Sequence, residues 1–249
     1  MKYNKMKRII KIIMCISVIG IIYSLLNITF WYIDNKRNEN IVEELKENII
    51  INENNNNDSD NDNSEYIIDF DSLKEKNPDT VGYIRVNSTN INHIVVKGND
   101  NKYYLKHNFN KEYNRSGWIF MDYRNKLDGN DKNIIIYGHN TSDGSMFGTL
   151  RRVITKEWYT NTDNYIITFV LGKDTKKYQV FSTYRIPVED YYIETEFEDD
   201  KAFKTFINNL IKRSVYNYQV EVSENDHILT LSTCTGNGKS RMVLHAKEI

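Results

Sequence analysis

The sequence predicts a mainly β protein: a closed eight-stranded barrel with flanking helices, preceded by a transmembrane helix at the N-terminus. Three observations carry that prediction. Residues 12–33, IIMCISVIGIIYSLLNITFWYI, run without a charge over about the twenty residues a helix needs to cross a bilayer. From Tyr66 onward, short apolar or alternating runs are separated by Asn, Asp and Gly, the texture of successive strands. Helical spacing is confined to a few places between those runs.

In chain order, Lys2, Lys5, Lys7, Arg8 and Lys11 precede the apolar run, and only Lys36 and Arg37 follow closely. This bias predicts a cytoplasmic N-terminus, with Trp31 and Tyr32 at the outer interface and the rest of the chain outside the cell. The run is longer than a usual signal core and no small-x-small cleavage site follows it, so a retained anchor is expected over 1–33. Residues 34–64 read as a disordered extracellular linker. The piece NKRNENIVEELKENI forms a short exposed helix in this reading, and INENNNNDSDNDNS has too little apolar surface to order. Residues 65–249 then form the folded domain.

Strands are expected at 81–86, 92–97, 117–122, 133–138, 165–170, 177–186, 227–233 and 241–247. Eight suffice to close a small barrel. Helices are expected at 70–76, around 146–154, and at 200–214, where Phe203, Phe206, Ile207, Leu210 and Ile211 share one face. NPDT at 77–80 reads as a helix stop and turn.

The formal net charge is −1, with Lys and Arg scattered, so no basic face for nucleic acid stands out. No dinucleotide-binding glycine fingerprint or zinc-ligand spacing is present, and the DSDND tract lacks the glycine and distal glutamate of a calcium loop. No metal or other cofactor is implied.

The two cysteines are Cys15, within the apolar segment, and Cys234, too differently placed to pair. Cys234 follows the strand HILTLST, and a thiol there needs a cation or imidazole nearby to act as a nucleophile. His139 follows the apolar strand NIIIYG and opens a polar loop. Parallel neighbouring strands would bring these two C-terminal ends together. Arg241 begins the last strand, separated from Cys234 by a loop of six residues with two glycines, and its fork of donors suits an oxyanion. Taken singly, each of the three is more often a packed or solvated side chain; their combination points to chemistry.

That combination resembles a known family. The TLSTC stretch 230–234, Gly138-His139 after an apolar run, and an arginine shortly after the cysteine look like the sortases, cysteine transpeptidases of Gram-positive surfaces. NPDTVGYIRV, DNKYYLKHNF, GWIFMDYRN, YGHN and DGSMFGTL resemble class B members, so the likeness runs from about Phe70 to the C-terminus and is weakest over 155–225. The loop after Cys234 looks shorter than in many members.

The resemblance implies that Cys234 attacks the carbonyl of a threonine in a C-terminal sorting signal, NPxT- or PxTG-like, of a secreted protein. His139 would exchange protons with the leaving and incoming amines, Arg241 would steady the oxyanion, and a peptidoglycan precursor amine would be the acceptor. It also implies substrate contacts at Asn101, Leu105, Tyr137, Tyr192, Ile193, Ser232 and Thr233, each of which could equally be packing. With ordinary pKa values, about 3 per cent thiolate and about a quarter imidazolium would coexist at pH 7. Two other readings fit parts of the pattern: an L,D-transpeptidase-like peptidoglycan enzyme, and a membrane-tethered binding barrel without catalysis.

Overall fold

The computed structural model describes residues 2–52, 65–234 and 239–249. Of the polar tract 51–64 expected to be disordered, residues 53–64 lie outside the described residues, as do residues 235–238 of the loop after Cys234, whereas Ile51 and Asn52 end a strand. Helix α1 spans Lys2–Lys46, 45 residues and so about 67 Å long at 1.5 Å per residue. It is long and apolar enough to cross a membrane. Its apolar side chains from Ile9 to Ile33 are largely exposed, as lipid contact requires.

The helix continues past Ile33, and its last turns are packed rather than exposed. Asn38, Ile41, Val42 and Leu45 recur at helical spacing on one face; Asn38, Ile41 and Leu45 are buried and Val42 packs beside them. Asn38 donates to the Gly117 carbonyl at 3.0 Å, and Asn114 donates to Asn38 Oδ1 at 2.9 Å and to the Asp34 carbonyl at 2.8 Å. Strands β1 (Ile49–Asn52) and β2 (Glu65–Ile68) then pair antiparallel, a small sheet that the linker composition did not signal.

Helix α2 (Phe70–Lys76) begins where the Asp69 carboxylate accepts from the Ser72 N–H at 3.0 Å. It stops at Asn77, before Pro78, as the NPDT stretch predicts. Strands β3 (Thr80–Val86) and β4 (Asn92–Val96) form a hairpin. A single 3₁₀ turn at Tyr103–Leu105 precedes β5, which is regular only over Phe120–Met121. The longer strand expected at 117–122 is cut short because Gly117 has φ +58° and Trp118 N–H bonds the Tyr104 carbonyl instead of a strand neighbour.

After β6 (Asn133–His139) come a 3₁₀ segment, Gly148–Ile154, where helical spacing was expected, and the short helix α3 (Lys156–Tyr159). A further 3₁₀ turn at Thr162–Tyr165 leads into β7 (Ile166–Leu171) and β8 (Asp174–Pro187). Helix α4 (Asp200–Arg213), capped by Asp199, separates β8 from β9 (Ile228–Cys234) and β10 (Ser240–Glu248).

The eight strands β3–β10 close into a barrel, as the sequence predicts; their order is β10-β8-β7-β3-β4-β5-β6-β9. Most neighbours are antiparallel; β4 with β5 and β6 with β9 are parallel. The main core includes Tyr83, Trp118, Phe120, Phe169 and Tyr178. A second core forms where Phe203, Phe206, Ile207 and Leu210 of α4 meet Phe181, Tyr184, Ile228 and Val243 of the barrel wall. The apolar stripe of α4 is therefore spent on packing, although Ile211, expected on that face, stays exposed.

Candidate active site

The parallel pairing of β6 with β9 runs in unbroken register from Asn133↔Ile228 to His139↔Cys234. Antiparallel pairing of β9 with β10 sets Arg241 opposite Cys234. One transverse row of the barrel thus reads His139, Cys234, Arg241 on three adjacent strands. In-register residues on neighbouring strands lie about 5 Å apart, so 95 residues of sequence separation collapse to one strand spacing. The parallel juxtaposition of two strand ends is what the sequence required for these residues to meet.

Local packing fixes the end of β6. A Cβ at position 138 would collide with the Phe147 ring and the Ile119 side chain, so only glycine lets the loop fold back over the strand. The Phe147 N–H then donates to the His139 carbonyl at 3.0 Å, and Asn140 bridges to Met146. His139 is half-buried, and burial lowers its pKa below the ordinary imidazole value. Its Nδ1 is buried without a hydrogen-bond partner among the described residues. Arg241 is also half-buried; its Nη1 donates to the Ser240 carbonyl at 3.3 Å.

Several expected groove residues converge on a group that sequence reasoning passed over. Asp122 is fully buried at the end of β5. Its carboxylate accepts from Asn101 Nδ2 at 2.9 Å, Tyr137 Oη at 2.8 Å, and Arg124 Nε and Nη2 at 2.9 and 2.8 Å. Burial acts to raise its pKa, but hydrogen bonds from Arg124 and Tyr137 outweigh it and the carboxyl is held below its usual range. Arg124 Nη2 also donates to the Ile193 carbonyl at 2.7 Å. Asn101, Tyr137 and Ile193 are therefore joined through one buried anion.

On the neighbouring side, buried Tyr192 hydrogen-bonds Ser232 through their hydroxyls at 2.9 Å, and Ser232 pairs in register with Tyr137. Thr233 is buried one position on. Leu105 is half-buried against the main core and stands apart from this network. The signal for Asp122 was present in GWIFMDYRN, an apolar run ending in an acid with an arginine two positions on. It is silent about Asn101 and Tyr137, because those partners come from other segments of the chain.

Comparisons with known proteins show the family. A family model described as the sortase domain matches residues 84–249. A sortase B of Listeria monocytogenes is 38% identical over 180 residues, 71% of this chain and 72% of the relative. A sortase B of Staphylococcus aureus is 34% identical over 249 residues, 98% of each chain. Among solved structures, sortase B from B. anthracis superposes with a TM-score of 0.75 at 32% identity, covering 88% of this chain and 99% of that one. A Staphylococcus aureus sortase B–substrate complex gives 0.68 at 38% identity, covering 72% and 84%. Likeness of this degree over most of the length leaves one conclusion: the chain belongs to the sortase family, on its sortase B branch, and is a cysteine transpeptidase.

Proposed function

We propose that this transpeptidase cuts an NPxT- or PxTG-like C-terminal sorting signal after its threonine and transfers the new carboxyl end to a peptidoglycan amine. The observation that supports the residue roles is the register row His139–Cys234–Arg241. Cys234 thiolate adds to the threonine carbonyl; Arg241, on the adjacent strand, donates to the resulting oxyanion. As the C–N bond breaks, His139 as imidazolium gives its proton to the departing amine, leaving a thioester on Cys234. The acceptor amine then attacks, His139 takes the proton back, and the C–S bond breaks to release Cys234 thiolate.

Substrate is held in this reading by a groove whose floor includes Tyr137, Ser232 and Thr233 and whose walls carry Asn101, Leu105, Tyr192 and Ile193. The hydrogen bonds to Asp122 and between Tyr192 and Ser232 support a preorganised groove. The anchor is oriented with residues 1–11 in the cytoplasm and the catalytic domain, 65–249, at the outer surface, on the lysine and arginine bias about α1. The partners are secreted proteins bearing the signal.

Mass spectrometry of the full-length protein incubated with NPxTx and xPxTG peptides tests the reading. Expected is an adduct on Cys234 equal in mass to the peptide cut after threonine, absent in Cys234→Ala and released by an added amine. Cleavage at another bond, or an adduct that persists in Cys234→Ala, would overturn it.

A further inference from the structure

A histidine that gives a proton to one amine and takes it from another can be reached from more than one side, and the barrel provides a second approach. Beside His139, a cavity of about 460 Å³ is lined by Trp31, Arg115, Ser116, His139, Asn140 and Arg151, with two residues of the following loop. Among the described residues, none of the groove positions Asn101, Leu105, Tyr137, Tyr192, Ile193 or Ser232 lines it. Its walls come from α1, the segment before β5, the loop after β6, and the 3₁₀ segment that carries Arg151. In the barrel, β6 stands between β5 and β9, so the walls drawn from before β5 lie across His139 from Cys234.

The charge of this cavity is one-sided. Among the described residues no carboxylate lines it, while two guanidiniums do. Arg115 is held at the edge by α1: its Nη1 reaches Asn27 Oδ1 at 3.4 Å, its Nε lies 3.9 Å from Asp34, and it sits over the Phe30 ring at 5.6 Å. Asp34 compensates it in part. Arg151 is exposed, its hydrogen bond being a long one, 3.4 Å, to the Thr141 carbonyl. A guanidinium with unspent donors facing a cavity is suited to a carboxylate or phosphate, which it can grip with two parallel N–H bonds. Trp31 places the opening where α1 leaves its apolar segment.

We propose that this cavity is the acceptor subsite, taking an amine that also carries a carboxylate or phosphate, with the anion held by Arg151 and Arg115 and the amine directed at His139. The inference rests on the transpeptidase reading above and adds the side of entry and the charge of the acceptor. A donor peptide occupying the groove leaves this side open, so the amine reaches the thioester by passing His139, the group that must take its proton.

Binding separates this proposal from the proposed mechanism. Full-length Cys234→Ala protein in phosphatidylcholine nanodiscs is titrated calorimetrically with glycine, diglycine and triglycine and with their C-terminal amides, which differ only in the anion. Expected is a dissociation constant about tenfold lower for at least one free acid than for its amide, the scale of one charge-assisted contact. In Arg151→Gln the ratio falls to about one, and in Arg151→Lys it is partly restored. Equal affinity of acid and amide in the parent protein, or a preference that survives Arg151→Gln, overturns the subsite. A preference abolished by adding phosphatidylglycerol to the nanodisc means that the cavity takes lipid headgroups instead, which also overturns it. None of these readings needs a thioester to form, so failure of the Cys234 adduct experiment is a separate result.

Discussion

At the scale of residues, the chemistry turns on protonation and on one buried anion. Burial holds the His139 pKa below its ordinary value, so the imidazolium fraction at pH 7 is below the quarter expected of a free ring. In Cys234→Ala, where no thiolate can favour the cation, NMR titration of His139 should give a midpoint below 6.5. A midpoint at or above that value would show that the half-buried ring is effectively solvated. Asp122 is the second control point. Asp122→Ala leaves the Tyr137 and Asn101 donors without their acceptor while exposed Arg124 turns to solvent, and should cost about 1–3 kcal/mol by urea denaturation. Arg124→Met removes the bond to the Ile193 carbonyl and should raise KM for the peptide more than it lowers kcat.

At the scale of elements, tight approach and capped helices decide what each segment can tolerate. Gly138→Ala forces Phe147 or Ile119 aside at the end of β6; about 1–3 kcal/mol of stability should be lost. Because that shift moves the loop hung on His139, transpeptidation should fall further than stability accounts for, which activity assays below the unfolding transition would reveal. Helix α4 was legible from spacing alone because Phe203, Phe206, Ile207 and Leu210 repeat on one face. Strand β5 was legible as apolar but not in length, since the bond from Trp118 N–H to Tyr104 that ends its pairing is made by a residue of another segment. The packed end of α1 was read as exposed because Asn38, the residue that anchors it, is polar and finds its partners at Asn114 and Gly117.

At the scale of the whole molecule, buried imidazoles make the fold acid-sensitive. His245 is fully buried between Thr230 Oγ1 and Tyr184 Oη, and burial pushes its pKa down to about 3; His93, also enclosed, is pushed down to about 4. Both folded values lie below the unfolded value of about 6.5, so the unfolded chain binds more protons between them. Stability is therefore full above pH 6.5 and is lost as pH falls toward 4, at up to about 2.7 kcal/mol per pH unit when both contribute. Urea midpoints measured from pH 7 to 4.5 should fall accordingly, and a flat profile would mean that both rings take up protons in the native state as readily as in the unfolded chain.

The sequence by itself determined the apolar span of α1, the eight strands, the helix α4 and the cysteine, histidine and arginine. These are local properties: charge-free length, alternation, helical spacing and residue chemistry are all written in neighbouring positions. It also marked Asn101, Tyr137, Tyr192, Ile193 and Ser232, through likeness to a family. Only the tertiary structure decided that Asn101, Tyr137 and Ile193 answer to Asp122 and Arg124, that Tyr192 bonds Ser232, and that a cation-lined cavity flanks His139 beneath the anchor helix. Those relations depend on barrel register and closure, which bring residues from distant segments within a hydrogen bond of one another. A burial-driven pKa or a paired carboxylate exists only once those contacts have formed.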